Sequence, residues 1–159
     1  MTWRGSTTTG DRIFACLPYL IPLMEGVLFG EYLFEKFPIL GQLCMPLIIL
    51  RFQIYNSIPF ASLIIFMALF LGVVRNQNIA HFIRFNAMQA ILLDIVLFLC
   101  YLILPIFLKA LPIALVGETL FNMVFIATVA ACGYAVVQSL LGRYAEMPVV
   151  SEAVYMQVR

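Results

Sequence analysis

Four long apolar runs, nearly free of charge, constrain this chain more than any other feature. The first extends from Ile13 to Gly30 with Glu25 as its one charge, and the second from Ile58 to Val74 with none. The third extends from Phe85 to Leu108, interrupted by Asp94, and the fourth from Thr119 to Leu141 without a charge. A helix needs about 20 predominantly apolar residues to cross the hydrocarbon core of a bilayer. Composition agrees, with 64% apolar residues, 11% charged and a mean hydropathy of +1.06. A soluble domain of this size leaves too much of its surface exposed to hide so much apolar matter. The sequence therefore predicts an all-α fold, an integral membrane bundle of four transmembrane helices. It forms one domain over residues 1–159, with spans at about 13–30, 58–74, 85–108 and 119–141, a short polar N-terminal arm and a polar C-terminal tail.

Between the first two spans, Phe37 to Leu50 is apolar but only 14 residues long, and Pro38 and Pro46 fall inside it. A run of that length reads as an interfacial or re-entrant segment rather than a span. The arm from Met1 to Asp11 has neither the length of a transit peptide nor a cleavage site after the first apolar run. It sets Trp3 at headgroup level. The tail after Gly142 is mixed in charge, ordered by a neighbour or left loose. Basic residues set the orientation. Arg4, Arg12, Arg75, Arg84, Arg143 and Arg159 fall on the side of both termini, against Lys36, Arg51 and Lys109 on the other. Both termini are expected on the cytoplasmic or stromal side.

Several function classes drop out. A net charge of +1 offers no field for nucleic acid. The four cysteines, Cys16, Cys44, Cys100 and Cys132, show no C-x-x-C spacing and read as small buried hydrophobes. The single histidine, His81, reads as a solvated side chain in a polar connection, with ligation of a pigment magnesium as the lesser alternative. No cofactor or metal is expected. Phosphate-binding loops, dinucleotide fingerprints, zinc-protease motifs and nucleophile elbows are missing from the sequence, so an enzyme is not expected.

Lipid tails are as apolar as leucine, so membrane helices associate through close packing and polar contacts. Gly26 and Gly30 form a G-x-x-x-G at the end of the first span. Ala127, Ala131 and Ala135 form a small-residue stripe on the fourth, with Ser139 a turn further. These are read as packing within one bundle, with an oligomer seam as the alternative. Pro18 and Pro22, one turn apart, each remove a backbone donor and predict a kinked or unwound first helix.

Ionisable groups at depth cost about 2.5–3.5 kcal/mol on the mildest insertion scale, so they face protein or water. On the third span Asn86, Gln89 and Asp94 fall within an arc of roughly 140°, with Asp94 roughly two turns inside. This polar face is the main candidate site, read chiefly as a set of hydrogen bonds to neighbouring helices. Arg84 lies on the opposite side, where its stem can snorkel. Arg84, Glu25 and Arg75 are secondary candidates.

The same stretch carries a resemblance. Arg75-Asn76, followed by Phe82-Ile83-Arg84-Phe85-Asn86-Ala87-Met88-Gln89-Ala90-Ile91-Leu92-Leu93-Asp94-Ile95, resembles the signature of the twenty-kilodalton membrane subunit family of the chloroplast inner-envelope import translocon (TIC complex) and its cyanobacterial relatives. Asp11-Arg12-Ile13, Leu17-Pro18-Tyr19-Leu20-Ile21-Pro22-Leu23 and Glu25-Gly26 support it. The resemblance covers most of the chain up to the fourth span. It implies four helices with both termini stromal or cytoplasmic, and a non-enzymatic role in helping polypeptides cross or enter a membrane. It implies other membrane subunits as partners, a translocating polypeptide, and residence in a plastid inner envelope or a cyanobacterial plasma or thylakoid membrane. The arm points to a cyanobacterial or organelle-encoded relative. The alternative is a structural or assembly subunit of a larger membrane complex, a photosynthetic one being an instance, supported by the apolar surface and by the small-residue stripe, which could dock partners or form a homo-oligomer seam. An independent small-molecule transporter is disfavoured by the near absence of paired intramembrane charges and of an internal repeat.

Overall fold

The computed structural model describes residues 7–110, 113–148 and 150–158. Trp3, Arg4 and Arg159, used above for the headgroup anchor and the charge count, lie outside the described residues. Within them the chain is all-α. Helix α1 spans Thr9–Lys36, α2 Pro38–Ser57, α3 Ala61–Val74, α4 His81–Ala110, α5 Ala114–Leu140 and α6 Val150–Gln157. Helices α1, α2, α4 and α5 are each long and apolar enough to cross a membrane.

Local chemistry explains the helix ends. Thr8 caps α1 through a capping box, its Oγ1 accepting from the Asp11 amide while its own amide donates to Asp11 Oδ2. Pro18 sits in a 3₁₀ turn at Leu17–Tyr19, and a second such turn covers Val27–Gly30. The first helix thus tightens into 3₁₀ geometry at Pro18, stays α-helical through Pro22, and tightens again at Val27–Gly30, where no proline lies. Helix α5 ends in a Schellman turn. Gly142 takes a φ of +72° while its amide reaches Ser139 O at 2.9 Å and the Arg143 amide reaches Gln138 O at 2.9 Å.

The segment between the first two expected spans differs from the sequence reading. Helix α2 runs unbroken for 20 residues, through Pro46 and past Leu50 to Ser57. Pro38 sits in its first turn, where no donor is needed. Arg51, which ended the apolar run in the sequence, is neutralised in space by Glu25, with Nη2 3.2 Å from Oε2. The stretch expected as the second span forms the shorter α3, which follows a left-handed Phe60 (φ 57°) and closes on a π turn at Phe70–Val74.

Long-range contacts order the bundle. Arg12 Nη1 donates to Leu140 O, so α1 starts where α5 ends. Lys36 pairs with Glu118, which sets the α1–α2 corner beside the start of α5. Arg84 Nε donates to Val74 O at 2.8 Å, joining the end of α3 to the start of α4. Helices α2 and α3 together therefore return the chain from one end of the bundle to the other. Both described chain ends lie at one end of the bundle.

The tail is ordered by the chain itself. Val154 and Val158 pack into a core with Val74, Phe85, Ala87, Met88 and Ile91. At the opposite end Val27, Phe29, Leu97 and Phe125 form a second core. No residue of α2 is fully buried, and its outer face presents Ile39, Leu43, Ile49 and Phe52. Such a face suits lipid or a partner rather than water.

Candidate functional site

The three polar residues of the third expected span go to two places. Asn86 and Gln89 are fully buried between α1, α4 and α5. Asn86 Oδ1 accepts from Tyr19 Oη and from Ser139 Oγ, each at 2.9 Å, and its Nδ2 donates to Phe82 O at 2.8 Å. Tyr19 Oη also lies 3.1 Å from Gln89 Oε1, so one proton serves two acceptors. Gln89 Nε2 donates to Ala145 O at 2.9 Å, tying the tail to the bundle. This network joins three helices and the tail with its hydrogen-bonding groups satisfied. That is how a polar cluster at depth becomes tolerable.

Asp94 is not part of that network. It faces a half-buried cavity of about 450 Å³ shared with Glu25, Arg51, Tyr55 and Ser62, walled by Phe29, Phe66 and Phe98. Arg51 Cζ stands 4.7 Å from the centre of the Tyr55 ring while Nη2 meets Glu25. Among the described residues, Glu25 Oε1, Arg51 Nε and Asp94 Oδ1 are buried without a hydrogen-bond partner. Glu25 lies near the middle of α1 and Asp94 near the middle of α4, so the ionisable groups of this cavity gather at mid-helix. The sequence shows almost no paired charges within the apolar runs, and the structure adds one pair, Glu25–Arg51. It was hidden because Arg51 sits beside an apolar run too short to read as a span.

The other candidates separate. Arg84 is buried rather than snorkelling, because its guanidinium holds the Val74 carbonyl left open at the end of α3. Arg75 is exposed beyond that turn. Gly26 makes a close helix contact, since a Cβ there would lie 2.7 Å from Thr128 Cγ2 of α5. Gly30 is covered instead by Phe34 of its own helix, 2.4 Å from where a Cβ would stand. On α5, Ala135 is buried, Ala131 half-buried and Ala127 exposed. Of the expected stripe Ala135 and Ser139 are buried, and Thr128 and Cys132 take the places expected for Ala127 and Ala131. His81 is held by its own chain, Nδ1 3.1 Å from Tyr144 Oη and Nε2 3.3 Å from Val158 O.

Sequence reasoning missed Tyr19, Ser139, Arg51 and Tyr55 as partners. A hydroxyl in an apolar run costs too little to stand out. Tyr19 did carry one signal, its place between two prolines.

These features define a small helical membrane protein with a satisfied polar network near one end and a charged cavity at mid-helix. The family model for the chloroplast import apparatus, Tic20-like, matches residues 9–154, and the chain belongs to that family. A Tic20 family protein of the cyanobacterium Synechocystis is 49% identical over 161 residues, covering 98% of each chain. Protein TIC 20-II, chloroplastic, of Arabidopsis thaliana is 34% identical, covering 96% of this chain and 76% of its own. The Ycf60 Tic20 family protein of Porphyra purpurea is 31% identical, covering 99% of this chain and 80% of its own. The family named from the polar stretch of α4 thus extends through α5 into α6.

Proposed function

We propose that this chain is a non-enzymatic subunit of a membrane protein-translocation complex, helping polypeptides cross or enter the bilayer. The observation that carries this reading is the match to the import-apparatus family across nearly the whole chain. The architecture supports it. The limb made of α2 and α3 is broken at Phe60, and α2 lies on the bundle with no fully buried residue. A limb so lightly packed can part from the bundle at less cost than the core helices. In this reading α2 and α3 make the second crossing together, and both termini face the cytoplasm or stroma. The apolar outside of α2 meets the passing polypeptide, and other membrane subunits cover the remaining apolar surface.

Site-specific photocrosslinking tests this. A photoreactive residue replaces Leu43, Ile49 or Phe52 in membranes holding a stalled precursor polypeptide. Adducts to the precursor at these positions, with none from the buried Ala135, are expected. A complex that yields adducts only to stable membrane subunits at every position would overturn the translocation reading and favour an assembly role.

A further inference from the structure

We propose that the cavity between Glu25, Arg51 and Asp94 binds an organic monocation carried on an apolar stem, an alkylammonium or guanidinium head on a hydrocarbon chain. The cavity contains two carboxyl groups and one guanidinium, one acid more than base. Arg51 is already committed to Glu25 through Nη2 and to the Tyr55 face. Among the described residues Glu25 Oε1 and Asp94 Oδ1 are both buried acceptors without a hydrogen-bond partner, and the Tyr55 hydroxyl interacts with the Glu25 carboxylate beside them. An ammonium group brings one positive charge and three donors, which answers both the charge excess and the open acceptors.

The walls and mouth select the rest of the ligand. Phe29, Tyr55 and Phe66 line the cavity, and aromatic faces attract a desolvated cation. Leu63 and Phe98 line it too and are 57% and 60% exposed, so the cavity opens sideways between α3 and α4. At mid-helix a bilayer presents acyl chains there rather than water. An occupant whose stem lies in hydrocarbon while its head turns inward fits such a mouth. A metal ion fits poorly, because among the described residues no three metal-ligating side chains converge. The volume of about 450 Å³ accommodates the head and several methylenes.

The test uses the full chain in maltoside micelles and a dodecylammonium probe bearing a diazirine, with labelled residues mapped by mass spectrometry. Labelling is expected at Leu63, Phe66 and Phe98. Plain dodecylammonium should displace the probe at concentrations at least tenfold below those of dodecanol or dodecanoate. Asp94→Asn should weaken capture at least tenfold. Arg51→Gln, which leaves both acids uncompensated, should strengthen it severalfold, a direction that general unfolding does not produce. Should Asp94→Asn fail to fold, Ser62→Phe fills the cavity from α3 and should abolish labelling. Labelling spread equally over Ile103 and Ile106, displacement by dodecanol as effective as by the amine, or capture insensitive to both Asp94→Asn and Ser62→Phe would overturn the proposal. A single-span peptide with one central lysine, compared with its norleucine version, names the source. Displacement by the lysine peptide assigns the site to a polypeptide side chain, and displacement by the free amine alone assigns it to a small amphiphile. Either result upholds the chemistry of the pocket, and neither bears on the translocation role.

Discussion

Asn86 engages three partners with one amide, joining Tyr19 of α1, Ser139 of α5 and its own Phe82 carbonyl. Replacement by leucine strands the Ser139 hydroxyl, leaves Tyr19 with Gln89 as its acceptor, and removes a fully buried donor. Asn86→Leu should therefore destabilise the bundle by about 1–3 kcal/mol, measured by unfolding in detergent micelles. Tyr19→Phe keeps Ser139 on the Asn86 oxygen but takes the donor from Gln89 Oε1, so it should cost a similar amount. Gly26 permits a second prediction. A Cβ at this position would overlap Thr128 Cγ2 at 2.7 Å, so Gly26→Ala should cost about 1–3 kcal/mol by overpacking. Thr128→Ser in the same background removes the offending methyl and should restore part of the loss, read from the same unfolding curves. Gly26 was legible as a packing glycine from its spacing. Its partner was not, because spacing on one helix says nothing about which residue of another helix arrives opposite.

At the scale of elements, the tail and α2 depart furthest from their sequence character. The tail reads as polar and mixed, yet its Ala145 carbonyl accepts from Gln89 and its Val154 and Val158 close a core. Truncation after Gly142 should expose Phe85 and Met88 and leave the Gln89 amide without its acceptor. A loss of several kcal/mol follows, about 1–3 of it from the amide alone and the rest from burial at roughly 25 cal/mol per Å². A large fall in thermal midpoint, with new protease sensitivity at the start of α4, is the expected result. Helix α2 depends on an ion pair whose members are 25% and 19% exposed. Arg51→Leu alone leaves Glu25 at depth without its partner, and breaking a buried pair costs about 3–5 kcal/mol before any discount for residual exposure. The double variant Glu25→Leu with Arg51→Leu should be milder than Arg51→Leu, because it leaves no orphan charge. A thermal-unfolding double-mutant cycle measures the difference.

For the whole molecule, the contacts that return the chain through α2 and α3 also set its topology. Arg51 and Arg84 both belong to the interior and drop out of the orientation count, leaving Lys36 and Lys109 against five arginines of the terminal side. The asymmetry is sharper than the sequence alone implied. Cysteines placed at Thr8, Glu118 and Glu152 in a cysteine-free background should label from two sides, Thr8 and Glu152 together and Glu118 opposite. Ser151 is unsuitable for this purpose because it is only 5% exposed. Labelling of Thr8 and Glu152 from opposite sides would require an odd number of crossings and would exclude the proposed topology.

Sequence alone determined the class of this protein. Apolar runs of spanning length leave helices as the economical way to satisfy the backbone in lipid, and Asn86, Gln89 and Asp94 stand out because polar groups at depth are costly. Those are one-dimensional facts, set by transfer free energies that add along the chain. The tertiary structure decided which of those groups meet. It sent Asn86 and Gln89 to Tyr19, Ser139 and the tail, and Asp94 to a cavity with Glu25 and Arg51. It put Thr128 and Cys132 of α5 in the places expected for Ala127 and Ala131, and carried α2 through Pro46 to Ser57. Each of these outcomes depends on a partner distant in sequence that cancels a charge, fills a hydrogen bond or occupies a space, and such pairings arise only when the helices pack together.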